Sequence, residues 1–427
     1  MNRRALLVSA AKPTWSWNFS ARPALPPGAS FSRASTATYV DGAGVLRTAS
    51  SNAPRFDCDP LTGTSLGYLA EMQSTNIIPW SEDFVGHWTS GSTYCTSAAA
   101  MAPNGSMTAT KYRAAGVANP QLYISFASAA ATRYAWSAFV RRDPASATPL
   151  DVTIVTQTGS SADQGTVWYN LAGAGTATKI GGIPLAAWGI HALANGWYFI
   201  WAQHTSTVAG TGYHQINLVN SATGSAIPSP DANSGVFIWG AQVEVGGVTS
   251  YIPTNGAAAT RAADTLALPV SAMTGWNGGQ GGAIVATYRL STLLPTGSVQ
   301  QAPAVLSDGS FDNVVFSTAY NNGSGGRRGL NIRSAGVDQV NIDTTAPPGP
   351  GVRSKLATGW GTSHAQQAAD GVLISSVNTP VALPVGLTTL CIGGRESGSA
   401  QRLCGAIESV AYYAGARSDA FVQRVSR

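Results

Sequence analysis

Aromatic side chains are the residues of this sequence best suited to holding a ligand. There are 12 Trp and 14 Tyr in 427 residues. Sugar rings stack on aromatic faces, while Asn, Asp and Arg hydrogen-bond the sugar hydroxyls. Trp197, Trp201 and Trp239 lie inside strong strand patterns and are expected to be packing residues. Trp168, Trp188, Tyr213 and Trp360 fall near predicted strand ends or loops, where a ring could face solvent, and these four are the glycan-binding candidates.

Catalytic constellations are harder to find. Gly63-Thr-Ser65-Leu-Gly67 matches the G-x-S-x-G pattern, but a nucleophile elbow needs a strand before the Ser and a helix after it, and Asp59-Pro-Leu-Thr reads as a turn. A glycosidase needs two carboxylates about 5–10 Å apart. The glutamates are Glu71, Glu82, Glu244, Glu396 and Glu408, with no Glu-x-Asp-x-x-Glu strand among them. Lysine occurs only at positions 12, 111, 179 and 355, and no Gly-x-x-x-x-Gly-Lys segment cradles a phosphate. No catalytic residue is assigned, and the chain is expected to be non-enzymatic and to need no cofactor. Asp308 and Asp312, in Asp308-Gly-Ser-Phe-Asp312-Asn313, could supply oxygen ligands to calcium. Asp57 and Asp59 are read as turn residues, because Pro60 interrupts any loop of that kind.

These residues must be positioned by strands. Charged residues make up 11% and hydrophobic ones 44%, and 48 Gly and 23 Pro are spread along the chain. That composition belongs to many short strands joined by tight turns. The reading is all-β: two jelly-roll or β-sandwich domains in tandem after a short extended N-terminal arm with a hairpin. The arm covers residues 1–75, with Asp41-Gly42 as the hairpin turn. Residues 76–263 form the first sandwich, marked by Tyr134-Ala-Trp136, Gly196-Trp197-Tyr198-Phe199 and Gly235-Val236-Phe237-Ile238-Trp239. Residues 264–427 form the second and end in a Ser418-capped helical turn. The arm's apolar residues Leu6, Leu7, Val8, Trp15, Trp17 and Phe19 are hard to explain as a solvated tail and are the attachment candidates.

The net charge is +5, yet Arg3-Arg4, Arg141-Arg142 and Arg327-Arg328 lie far apart, so no nucleic-acid patch is expected. No apolar run approaches the ~18 residues that span a bilayer. Arg3-Arg4 and the apolar stretch after it superficially suggest a signal peptide, but Lys12-Pro13 follows at once and export is not expected. Cys58, Cys95, Cys391 and Cys404 have no metal-type spacing; Cys391 and Cys404 could meet across a hairpin but are expected to stay reduced.

An ordered series of motifs adds a resemblance. Phe31-Ser-Arg-Ala-Ser-Thr-Ala-Thr-Tyr39-Val-Asp41, Pro54-Arg-Phe-Asp57 and Gly67-Tyr-Leu-Ala-Glu71 lead into Asn76-Ile-Ile-Pro-Trp-Ser81-Glu82-Asp-Phe84. Asn195-Gly-Trp197-Tyr198, Trp239-Gly-Ala-Gln242-Val-Glu244, Ser250-Tyr251-Ile252-Pro253-Thr254 and Thr260-Arg261-Ala-Ala-Asp264 continue it. Over about residues 30–265 the chain resembles the phage head spike fibre family. The resemblance implies a carbohydrate-binding-module-like, galactose-binding-like sandwich in the middle region. The C-terminal region is similar to laminin-G or concanavalin-like jelly rolls. It further implies a virion fibre, spike or decoration protein exposed on the particle, whose partners are other virion proteins and host-surface polysaccharide. A homo-oligomer is expected, a trimer first, because linked weak sites gain avidity. The alternatives are a purely architectural virion subunit and a capsule depolymerase.

Overall fold

Period-2 alternation sets the strands, since successive side chains on a strand point to opposite faces. In Gln121–Ser128, Leu122, Ile124, Phe126 and Ser128 turn inward while Gln121, Ser125 and Ala127 are exposed. The computed structural model describes residues 12–228, 230–291, 297–321, 326–344, 347–395 and 401–427, so the attachment candidates Leu6, Leu7 and Val8 lie outside the described residues. Among the described residues, helix is confined to short α-helical segments at Phe84–His87, Gly91–Tyr94 and Asp419–Val425 and to two 3-10 turns, and the protein is all-β. No helix there is long and apolar enough to cross a membrane.

The chain divides into two units. One comprises residues 33–65 and 73–263; the other comprises the described residues up to Ser32, 66–72 and 264–427. The described part of the arm expected over 1–75, residues 12–75, is therefore not a separate element but is shared out between the units. The physical reason is hydrogen bonding: Trp15–Asn18 pairs antiparallel with the C-terminal strand Gly405–Ala414, Trp15 opposite Tyr412 and Trp17 opposite Val410. An isolated arm would leave those backbone groups unpaired. The hairpin at Asp41-Gly42 is present, joining Ala37–Val40 to Leu46–Ala49, with Asp41 Oδ1 accepting from the Ala43 and Val45 amides at 2.9 and 3.0 Å.

The 33–65/73–263 unit is a sandwich of two antiparallel sheets. One has five strands in the order Gln121–Ser128, Gly210–Asn220, Leu150–Thr158, Ser160–Asn170, Thr176–Gly182. The facing sheet runs Ala187–Ala192, Tyr198–Thr205, Arg133–Arg142, Gly235–Val245, Ser74–Asn76, Ala259–Arg261, with Ala109–Arg113 and Cys95–Ala100 beside Gly235–Val245. Leu122, Ile154, Val167, Ile216 and Leu218 of the first meet Trp136, Val140, Ile200, Ile238 and Val243 of the second in one buried core. Each such side chain contributes about 1.5–3 kcal/mol through removal from water.

In the other unit, Val372–Val377, His364–Ala369, Ser354–Gly361, Gly282–Leu290, Gly405–Ala414 and Ser65–Ala70 form one sheet. A second contains Ser30–Ser32, Thr265–Pro269, Thr389–Ile392, Ala304–Ser307, Val314–Asn321, Gly326–Ser334 and Val337–Asp343. Gln367 ties the two together, its Nε2 donating to Ser317 Oγ at 2.6 Å and to the Gly329 carbonyl at 3.1 Å. Asp419–Val425 packs Phe421, Val422 and Val425 on the outside of the first sheet, and Ser418 Oγ caps it by accepting from the Phe421 amide at 3.3 Å. Gly67 lies at φ +99°, and a Cβ there would come within 2.2 Å of the Ile407 carbonyl, so only glycine permits this strand approach. Among the described residues, Cys58, Cys95, Cys391 and Cys404 form no disulfide.

Candidate functional site

The strand Gly210–Asn220 is bolted from inside the sandwich. Trp136 donates its indole N–H to the Tyr213 carbonyl at 2.9 Å, and the buried His214 holds the Ser137 carbonyl through Nε2 at 3.0 Å. Tyr112 donates to Pro120 and Ile216 carbonyls at 2.8 and 3.1 Å. With Ile216 and Leu218 inward, Tyr213, Gln215 and Asn217 must point out, and the same alternation turns Gln121 and Tyr123 out on the neighbouring strand.

Register then brings these side chains together. Gln215 stands opposite Tyr123 on one side and Val155 on the other; Asn217 stands opposite Gln121 and Thr153, and Thr153 opposite Trp168. The Tyr123 and Tyr213 rings meet edge to face, centroids 5.5 Å apart at 83°. Gln215 Nε2 donates to Asn217 Oδ1 at 2.9 Å, which aligns the two amides. Gln121 is exposed, and Tyr123, Tyr213, Gln215 and Trp168 are half-buried. The result is one face of aromatic rings and neutral amides, open on the outside of the five-stranded sheet.

Asp151 is the carboxylate on that face, and it is fully buried. Burial pushes its pKa up, against hydrogen bonds from Arg142, Leu171 and Trp168. Arg142 grips Oδ1 through Nη2 at 2.6 Å and Nε at 3.0 Å, and the Trp168 indole N–H reaches Oδ2 at 3.3 Å. Gly224, at φ +65°, passes over the same indole so closely that a Cβ would sit 2.5 Å from Cδ2. Trp168 thus gives one ring face to a turn of the chain and forms a wall of the platform.

The sequence candidates distribute unevenly over the molecule. Tyr213 and Trp168 share the open face. Trp188 lies on Ala187–Ala192 of the opposite sheet, 37% exposed, with its N–H on the Ala177 carbonyl at 3.3 Å. Trp360 is corrected: it is fully buried in the other unit, its ring 6.4 Å from that of Tyr412 and its N–H on the Gly279 carbonyl at 3.4 Å, so it cannot meet a ligand. Phe19 is corrected too, being fully buried 5.7 Å from the Tyr68 ring. Trp15 and Trp17 are taken up in strand pairing, with Trp17 donating to the Ala24 carbonyl at 2.9 Å and Arg22 lying over its ring.

Asp308 accepts from the Ser310 amide and hydroxyl at 2.8 and 2.7 Å through Oδ1 and from Asn313 at 2.9 Å through Oδ2. Asp312 is exposed in the same turn, its carbonyl accepting from the Gly336 amide at 3.0 Å. Among the described residues no group of three or more His, Cys, Asp or Glu could hold an ion. Ser65 opens the strand Ser65–Ala70, and no helix follows it. Another Ser, His and Asp do meet at Ser376, His364 and Asp419, but Ser376 donates to Asp419 at 3.0 Å, while His364 spends its nitrogens on Asn378 and Asp419 at 2.6 and 2.9 Å. No serine hydroxyl lies on that imidazole.

Sequence reasoning missed Gln121, Tyr123, Gln215 and Asn217. The signal was available in part, since Leu122, Ile124 and Phe126 alternate with them. The polar residues of the recognised motifs serve a different purpose. Asn76 bonds the Ile252 carbonyl at 2.9 Å and the Val243 amide at 3.1 Å. Glu244, fully buried, accepts from Ser74 and Gln242 at 2.6 Å each and from the Thr249 amide at 2.9 Å. Glu82 takes the Tyr251 hydroxyl at 2.9 Å and the Trp239 N–H at 3.1 Å. The motif records a covered polar network on the opposite sheet.

Fold and site together define a two-unit β-sandwich protein with an open aromatic and amide face. No family model matches the chain, and no curated protein matches it. The phage head spike fibre resemblance therefore rests on the motifs alone. Among solved structures, the chain is similar to the CBM40 of Ruminococcus gnavus IT-sialidase bound to alpha2,3 sialyllactose, at 20% identity and TM-score 0.29, over 35% of this chain and 83% of that one. It is similar to domain 4 of AbnA, a GH43 extracellular arabinanase from Geobacillus stearothermophilus, in complex with arabinotriose, at 16% and 0.29, over 43% and 82%. It is also similar to the mouse laminin alpha1 chain domains LG4-5, at 11% and 0.22, over 68% and 84%. At these scores the likenesses bear on neither ligand nor mechanism.

Proposed function

We propose that this chain is a non-enzymatic glycan-binding protein of a bacteriophage particle, a fibre, spike or decoration protein that holds hydroxyl-rich host polysaccharide on the outer face of its five-stranded sheet. The observation that carries the reading is the juxtaposition of Tyr123 and Tyr213 with Gln121 and Gln215 on one open, neutral face, with the buried Asn217 aligning Gln215 from beside it. Aromatic edges and faces pack on sugar C–H groups, and amides offer both a donor and an acceptor to neighbouring hydroxyls. Asp151 is spent on Arg142, Trp168 and Leu171, which leaves it a strut for Trp168. The virion assignment is supported by the motif series. A homo-oligomer, a trimer first, belongs to the reading, since linked weak sites raise avidity by ~10²–10⁴.

The test is a glycan array probed with the full chain, read alongside reducing-end release. Binding to neutral, hydroxyl-rich glycans without release supports the reading. Release of reducing ends would make the chain a depolymerase. An inert array together with stoichiometric incorporation into particles would leave a purely architectural subunit. Light scattering on the full chain checks the oligomer, and a monomer overturns that part.

A further inference from the structure

A cavity in the same unit differs from the open face in its electrostatic character. It is a cleft of about 370 Å³, lined among others by Val45, Met101, Pro103, Arg141, Asn195 and Trp197. That volume sits near the lower end of the ~300–1,000 Å³ of small-molecule sites and suits one sugar ring rather than a chain of them. Among the described residues of its lining Arg141 supplies the only charge, so the cleft is singly cationic where the open sheet face is neutral.

The guanidinium is held ready for a partner. Its Cζ lies 5.2 Å from the Trp197 ring centroid and 5.0 Å from that of Phe237, so two aromatic rings fix its plane. Trp197 is itself pinned by its N–H on the Met101 carbonyl at 3.2 Å. Nη1 makes a long hydrogen bond of 3.5 Å to the Asn195 carbonyl, and Nε is buried with no hydrogen-bond partner. Asp143, the carboxylate whose charge acts on Arg141, is bridged to Lys111 at 2.7 Å and is not in the lining. A planar guanidinium with unused donors pairs best with a carboxylate or a phosphate. Val45, Met101 and Pro103 line the cleft with apolar surface, and Asn195, exposed at an Asn-Gly turn with φ +59°, brings an amide to its rim. Inorganic phosphate has no carbon surface to use those walls. A sugar acid has a carboxylate for Arg141, C–H faces for the walls and hydroxyls for the Asn195 amide.

We infer that the Arg141 cleft is a second binding site, selective for a carboxylate-bearing sugar, a uronic acid unit of a glycan. It rests on the glycan reading for the class of ligand but uses none of the residues of the open face, so the two can fail separately.

The experiment is titration of the full chain with D-glucuronic acid, D-glucose and inorganic phosphate, followed by NMR shifts or calorimetry, in the unaltered protein and in Arg141→Gln, Val45→Phe and Tyr213→Ala. The expected result is saturable glucuronate binding, weakened about tenfold or more by Arg141→Gln and unchanged by Tyr213→Ala, as loss of a charge-assisted pair requires. Glucose and phosphate are expected to bind at least about tenfold more weakly, since each lacks one half of the recognition. Val45→Phe fills the cleft and keeps the charge, so it should weaken glucuronate comparably even if Arg141→Gln fails to fold. The inference is overturned if the unaltered chain does not saturate with glucuronate, if phosphate binds as tightly, or if folded Arg141→Gln or Val45→Phe binds like the unaltered chain. Arg141-dependent glucuronate binding with an array inert to neutral glycans would uphold this cleft and sink the open face.

Discussion

The two outer faces of the 33–65/73–263 sandwich carry similar amides and opposite fates. On the Gly235–Val245 side, Gln242, Glu244 and Asn76 are buried to 1% exposure or less, and each is bonded to the segment 249–252, to Ser74 or to one another. Phe139, Trp197, Trp239 and Tyr251 fill the rest of that face together with Leu46 of the hairpin. On the Gly210–Asn220 side, Gln121, Gln215 and Asn217 lie in register beside two tyrosines, with Gln121 and Gln215 still reached by solvent. A covered amide must be satisfied within the chain, because a buried unpaired polar group costs about 1–3 kcal/mol. An uncovered amide has water as its partner and can exchange it for a ligand. The covered amides of the first face therefore specify the fold, and the uncovered amides of the second remain available for binding.

That contrast can be broken most forcefully at Trp197. At 2% exposure and packed under Arg141, Trp197→Ala is expected to cost about 3–5 kcal/mol, while Trp188→Ala costs less than about 1.5 kcal/mol. Chemical denaturation of the two variants checks this, and near-equal losses would mean that the ring packed under Arg141 is not a packing residue of the covered face.

Acid should loosen the open face from beneath. Burial drives the His214 imidazole down to about 4, and the hydrogen bond to the Ser137 carbonyl offsets that only in part. The unfolded chain, with an imidazole pKa of about 6.5, takes up its proton first as pH falls. The contribution is thus complete above about pH 6.5 and is lost on the way down to about pH 4, roughly 3 kcal/mol in all. His204, lowered by burial against the pull of Asp163, adds in the same direction. Melting temperature followed from pH 7 to pH 4.5 should fall steadily, and His214→Gln should flatten the slope. A flat profile in the unaltered chain would contradict the buried, neutral imidazole.

A smaller loss is expected at Gln242. Its Oε1 accepts from the Ile252 amide at 2.7 Å and its Nε2 serves Glu244 at 2.6 Å. Gln242→Ala leaves both buried groups short of a partner and should cost about 1–3 kcal/mol in a melting series. A loss below about 0.5 kcal/mol would mean that water replaces the amide and that this face is less closed than its burial implies.

How much of this could be read in the sequence follows the same division. Strands such as Arg133–Arg142 and Gly235–Val245, and the capped turn after Ser418, announce themselves by local pattern. The motif series around Trp239, Gln242 and Glu244 is legible because a covered network fixes many residue types at once. The open face has no such signature. Gln121 and Asn217 become neighbours only when strands far apart in sequence pair, and a sheet order of this kind is not encoded within any short window. Trp360 reads from the sequence as a residue near a strand end, whereas its ring turns inward beside Tyr412. Trp15 reads as part of an extended N-terminal arm because its strand partner, Tyr412, lies at the far end of the chain.

The most direct test of the open face pairs glycan affinity with stability in the full chain. Tyr213→Ala with Gln215→Ala is compared with Gln242→Ala, using a neutral glycan selected on the array. The double variant is expected to lose about tenfold or more in affinity, equivalent to about 1.4 kcal/mol, while its stability falls by no more than about 1 kcal/mol, about 0.5 kcal/mol for each of two half-buried positions outside the core. Gln242→Ala should melt earlier and bind as before. If the double variant keeps its affinity, or if folded Gln242→Ala is the one that loses it, the ligand does not sit on the five-stranded face.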